Sequence, residues 1–140
     1  MAYIDRSDCL KVIGKAQLEQ LEKDEPDLIQ DLSDVGEVYI SNYISDMYDL
    51  ATEFAKVGND RDSMLKQIAI AIVAYYAFQR VASDQIPDIR VKAYDDAIQS
   101  LEKSQKGQLY FKGIGRNEPN GGRTMIFGEE ENPTFNKNIY

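Results

Sequence analysis

The 140-residue chain has no histidine, no tryptophan, one cysteine and four prolines. Without histidine, the commonest general base and metal ligand are missing, and no Ser-His or Cys-His nucleophile pair can form. The single Cys9 excludes an internal disulfide framework and suits a reducing compartment. Beside Leu10 it reads as a small buried hydrophobe rather than a catalytic thiol. Long apolar runs are lacking too. The longest, Ile68 to Phe78 between Lys66 and Arg80, falls short of the ~20 residues a bilayer crossing needs. No basic segment followed by an apolar one opens the chain, so no secretory signal is expected.

Positive charge is scarce, and the formal net charge is −8. Eight acids between Glu19 and Glu37 face Lys23 alone. No basic stripe is available to neutralise phosphates, so nucleic-acid binding through counterion release is not expected. A solvated loop with acids near a helix N-terminus accounts for the cluster. The sharper reading is a DNA-repelling surface made of Glu22, Asp24, Glu25, Asp27, Asp31 and Asp34, such as the lining of a channel through which DNA slides.

What is present is helical periodicity. The pattern predicts an all-α compact bundle of four principal helices plus a short N-terminal one. Ser7 is the expected N-cap of that first helix, over Asp8 to Ile13, with Gly14 ending it. Ala16 to Leu21 adds a helical turn. A long helix is expected from Asp27 to about Lys56, with Leu28, Leu32, Val35, Tyr39, Tyr43, Ile44, Met47, Ala51 and Phe54 at helical spacing. The break Gly58-Asn59-Asp60 precedes a helix from about Arg61 to Ala82, apolar nearly all round and therefore central. Pro87 suits the first turn of the last helix, whose inner face is expected to carry Ile89, Tyr94, Ala97, Ile98 and Leu101, with Gly107 as its C′ residue.

Composition changes at that point. Six of nine glycines lie between Gly107 and Gly128. The expected organisation is a bundle over 1–106 and an extended arm over 107–140. Short β-prone runs, Leu109 to Phe111 and Thr124 to Phe127, allow a hairpin there. Phe111, Ile126, Phe127, Phe135, Ile139 and Tyr140 have no core of their own in such an arm. They are candidate assembly-interface residues that order on a partner.

No catalytic, cofactor or metal site emerges, and no enzyme or cofactor is expected. Gly113-Ile-Gly115-Arg116 lacks the strand–helix context and third glycine of a phosphate loop. Asp24-Glu-Pro-Asp27 lacks calcium-loop spacing. Asp95 and Asp96, adjacent on a helix, point to different parts of its surface. The tyrosines at 39, 43, 48, 75, 76 and 94 read as core and interface packing rather than a base-stacking platform, which normally comes with a basic groove.

Several segments occur in a particular order: Ala2-Tyr3-Ile4, a short helix to Gly14, Ile40…Tyr43-Ile44…Tyr48-Asp-Leu50, an alanine-rich helix ending in Arg80, and Arg90…Tyr94-Asp-Asp-Ala97…Leu101…Gly107. In that order, from Met1 to Gly107, the chain resembles the small helical head-assembly proteins of Mu-type phages and prophages. It departs from them after Tyr48, where Met47 and the loop Val57-Gly-Asn-Asp60 replace an Arg-Tyr pair and a proline-rich loop, and in its long tail. The resemblance implies a head-to-tail connector (adaptor) subunit that forms a ring at the portal, in the bacterial cytoplasm during assembly and then at the virion head–tail junction. Its implied partners are copies of itself, the portal and tail-side proteins, with no membrane and no specific nucleic-acid binding. A small acidic regulatory module that mimics DNA charge to block a host protein is the competing reading.

Overall fold

A computed structural model of the chain describes residues 2–82 and 84–117. Among them six α-helices follow in order: α1 (Arg6–Leu10), α2 (Lys15–Leu21), α3 (Leu28–Ile44), α4 (Leu50–Phe54), α5 (Ser63–Ala82) and α6 (Asp88–Gln105), with a 3-10 turn at Gly58–Asp60. No strand occurs among the described residues, and the fold is an all-α bundle.

The apolar run of α5 lies at its centre, as its nearly all-round hydrophobicity predicts. Leu65, Ile68, Ile72, Val73, Ala74 and Ala77 are all buried, and α5 packs against α3 on one side and α6 on another. The two short N-terminal helices close a further side of α5, with Cys9, Ile13, Leu18 and Leu21 in the common core. Gly36 faces α5 with room to spare: a Cβ there would meet Val73 Cγ2 at 3.7 Å and Ile72 Cγ2 at 3.8 Å, ordinary contact distances.

Helix boundaries differ from the sequence pattern at several points. The first helix is capped by Asp5, not Ser7, through a reciprocal capping box with Asp8, and it stops at Leu10. Gly14 stands at the N-cap of α2. The long helix expected from Asp27 to Lys56 ends at Ile44 and restarts as α4, capped by Asp49, whose carboxylate accepts from the Thr52 amide. Between them, Tyr48 leaves helical geometry to pair with Arg116 as an isolated antiparallel bridge. Pro87 is the N-cap of α6 rather than a residue of its first turn. Ile89, expected on the inner face, is 66% exposed.

At the far end of α6 the expected C′ glycine is found. Gly107 takes a φ of 77°, Gly107 N–H donates to Ser104 and Gln108 N–H donates to Lys103, the paired bonds of a Schellman motif.

Candidate functional site

The residues after Gly107 do not start an arm. Residues 107–117 form a strap that folds back over α4 and the start of α5. Phe111, a candidate assembly residue by sequence, is only 2% exposed; it packs edge-on against Tyr48 and belongs to the bundle's own core with Ile114. The correction has a plain cause: Tyr48 faces the strap, its ring against Phe111 and its hydroxyl accepting from the Phe111 amide. Leu109 to Phe111 is accordingly irregular rather than the first strand of a hairpin. Its expected partner run, Thr124 to Phe127, lies outside the described residues. So do the other candidate assembly residues, Ile126, Phe127, Phe135, Ile139 and Tyr140.

Hydrogen bonds hold the strap along its length. Phe111 N–H donates to the Tyr48 hydroxyl at 3.2 Å, and Gly113 N–H donates to Asp62 Oδ2 at 2.8 Å. Asp49 N–H donates to the Gly115 carbonyl at 2.7 Å, and Asn117 N–H donates to the Met47 carbonyl at 3.0 Å. The Asn117 side-chain amide reaches the Ser45 carbonyl at 2.8 Å. The end of the strap is therefore held beside the α3–α4 turn.

The strap continues into a buried polar knot that composition did not reveal. Asp62 also accepts from Leu65 N–H at 2.9 Å, capping α5, while its own N–H donates to Glu53 Oε2 at 2.7 Å. The Tyr3 hydroxyl donates to the same Glu53 oxygen at 2.6 Å. Lys56 Nζ stands 3.0 Å from Glu53 Oε1 as a charge partner, while its hydrogen bond goes to the Gly113 carbonyl. Arg61 completes the knot: Nη1 and Nη2 donate to the two oxygens of Asp8, Nη1 also to the Tyr3 carbonyl, and Nε to the Gly58 carbonyl. Ile4 N–H donates to Ser33 Oγ at 2.9 Å. Some of the knot's contacts tie the N-terminal segment or the strap to the α4–α5 connection, one ties the N-terminal segment to α3, and the rest brace α4, that connection and the start of α5 among themselves.

Its electrostatics agree. Burial raises the Asp8 pKa, but the Arg61 hydrogen bonds, the Asp5 amide and the Arg61 charge outweigh it and bring Asp8 down to about 2. Burial, then Glu53 as acceptor and as charge, pushes the Tyr3 hydroxyl well above its ordinary value. Cys9 is fully buried; burial, then the charges of Asp8, Asp5 and Glu22, raises its thiol to about 12, which makes it a poor nucleophile. Among the described residues, no three His, Cys, Asp or Glu side chains gather to hold a metal ion, and no helix is long and apolar enough to cross a membrane.

The acidic candidates divide. Glu22 pairs with Arg6 at 2.8 Å and Glu25 with Arg80 at 3.1 Å. Asp24, Asp27, Asp31 and Asp34 remain exposed, the last three at spacings of four and three that place them on one face at the start of α3.

Two further surfaces stand out. Tyr39, Tyr75, Tyr76 and Tyr94 form one aromatic cluster, with Tyr39 stacked on Tyr76, Tyr75 stacked on Tyr94 at 4.2 Å, and the Tyr76 and Tyr94 hydroxyls 3.0 Å apart. No cation lies over these rings among the described residues. Separately, an open groove of about 440 Å³ runs between α5 and α6, walled by Val12, Met64, Ile68, Ala71, Ala93 and Ala97, with Arg90 and Asp96 on its rim.

A helical body of this kind, without a catalytic cluster in its described part, gains its identity from the match of residues 3–125 to the Bacteriophage Mu, Gp36 family. The chain belongs to that family. It is a phage protein. No curated protein and no solved structure matches it. The family match runs past Gly107, where the resemblance in sequence stops. It takes in the whole strap and extends into the stretch beyond Asn117. In this Gp36-family protein, the strap thus lies wholly within the matched region.

Proposed function

We propose that this Gp36-family protein is a head-to-tail connector subunit, assembling into a ring at the portal during virion morphogenesis. The observation that carries the reading is the pinned strap. It holds Asn117 to the α3–α4 turn, and the sequence that follows carries Ile126, Phe127, Phe135, Ile139 and Tyr140. A helical body followed by a segment rich in large apolar residues suits a ring, in which each copy engages the next through two different surfaces. Membership of a phage family supports the setting. The exposed Asp24, Asp27, Asp31 and Asp34 suit a wall past which DNA moves without sticking.

The protein acts by assembly, with copies of itself, the portal and a tail-side protein as partners. The test is electron microscopy of purified portal complexes incubated with the full-length protein. Added ring density on one end of the portal is expected. Portals that remain bare at saturating protein contradict the reading.

A further inference from the structure

The α5–α6 groove is an apolar channel that the described bundle leaves open. Met64 on its wall is 47% exposed and Val12 is 36% exposed, although most of the large apolar content of α5 is buried. Arg90 on the rim has no acidic partner within ion-pair distance among the described residues. Asp96, also on the rim, lies nearly two turns further along α6 and meets only Lys92, at 3.6 Å on the exposed surface. The groove is thus mainly apolar, with Gln67 and Ser100 also in its lining, and carries a base toward one end and an acid toward the other.

One segment of the chain has the complementary order. Arg123-Thr-Met-Ile-Phe-Gly-Glu129-Glu-Glu131 places a base first, a block of three large apolar residues next and three acids last. The family match reaches into this segment, through Met125. We propose that Met125, Ile126 and Phe127 of one copy dock in the α5–α6 groove of the neighbouring copy, with Arg123 toward Asp96 and the Glu129–Glu131 run toward Arg90. The inference rests on the ring reading for the presence of a neighbour. Apolar burial holds the segment, and the two rim charges set its direction, since the reverse orientation would place like charges together. The interface is heterologous, as ring closure requires.

The test uses the full-length protein carrying Met64→Cys and Gly122→Cys, positions that direction brings together. The native Cys9 is fully buried and does not compete. Equal amounts of light- and heavy-isotope protein are mixed, incubated with portal complexes, oxidised and digested, and mass spectrometry reads which cysteines joined. Mixed-isotope peptides that link the two introduced thiols, one from each copy, are expected. Adding Arg90→Glu should cut their yield by about tenfold or more, and the further changes Glu129→Lys, Glu130→Lys and Glu131→Lys should restore it. Same-isotope links alone overturn the proposal, because the segment then folds onto its own copy. Absence of the link while rings still form on the portal also overturns it and leaves the connector reading standing. Mixed links with no ring on the portal support the groove and remove the connector reading.

Discussion

Arg61 grips Asp8 with two parallel hydrogen bonds, Nη1 to Oδ2 at 2.6 Å and Nη2 to Oδ1 at 2.9 Å, with both side chains buried. Asp8 is also the reciprocal partner in the α1 capping box. Removing either side leaves the other charge buried without its counterpart. Arg61→Met or Asp8→Ala is expected to destabilise by about 3–5 kcal/mol, read from urea unfolding with an unchanged slope.

The same pair sets a pH dependence. Asp8 titrates at about 2 in the folded protein, below the ordinary range, so the unfolded chain binds its proton first as pH falls. The stabilisation is complete above about pH 5 and is lost progressively as pH falls toward 2. Urea midpoints measured across that window should fall steeply in the native protein and less steeply in the double variant Asp8→Asn/Arg61→Met. Parallel profiles would show that other carboxylates carry the acid sensitivity.

Ile72 is fully buried where α3 meets α5. Ile72→Ala should cost about 2–5 kcal/mol. Gly36 faces it with room for a methyl group, so Gly36→Ala should stabilise by about 0.5–1 kcal/mol through helix propensity. A loss on Gly36→Ala, seen by thermal melting, would mean the two helices pack more tightly than 3.7 Å implies.

Gly113 and Gly115 look alike in sequence and differ in space. A Cβ on Gly113 would stand 2.7 Å from Asp62 Oδ2, the oxygen that holds the strap, whereas a Cβ on Gly115 meets nothing within 4 Å. Gly113→Ala should displace the carboxylate and cost about 1–3 kcal/mol. Gly115→Ala should be near neutral, and hydrogen exchange at Leu65 N–H should separate the two.

Much of this is legible in the chain and some is not, for reasons of range. The central place of α5, the burial of Cys9 and the Gly107 cap are local consequences of periodicity and backbone freedom, and the sequence carries them directly. Between α3 and α4, Tyr48 pairs with Arg116, far along the chain, so a pattern read over two or three turns runs straight through the break. Phe111 escapes for the same reason: a glycine-rich context reads as an arm, and its partner Tyr48 lies 63 residues back along the chain. The knot of Tyr3, Asp8, Glu53 and Arg61 joins residues scattered over the first sixty or so positions, with no spacing to betray them. Ile89 fits the helical repeat but falls in the first turn of α6, where it stays exposed.

The strap makes the fold depend on where the chain is cut. Ending the chain before Gly107 removes Phe111 and Ile114 from the core and should unfold or strongly destabilise the bundle. Ending it after Asn117 retains them and should leave the circular dichroism melting curve cooperative while abolishing ring formation. A bundle that melts unchanged without residues 107–140 would contradict the placement of the strap.

The most direct measurement of the connector role is made in the phage or prophage that encodes the protein. Its gene is deleted, particle production is induced, and the lysate is imaged by electron microscopy. The connector account predicts DNA-filled heads and finished tails that stay apart, with joining restored when the gene is supplied in trans. Normally tailed virions from the deletion would contradict it.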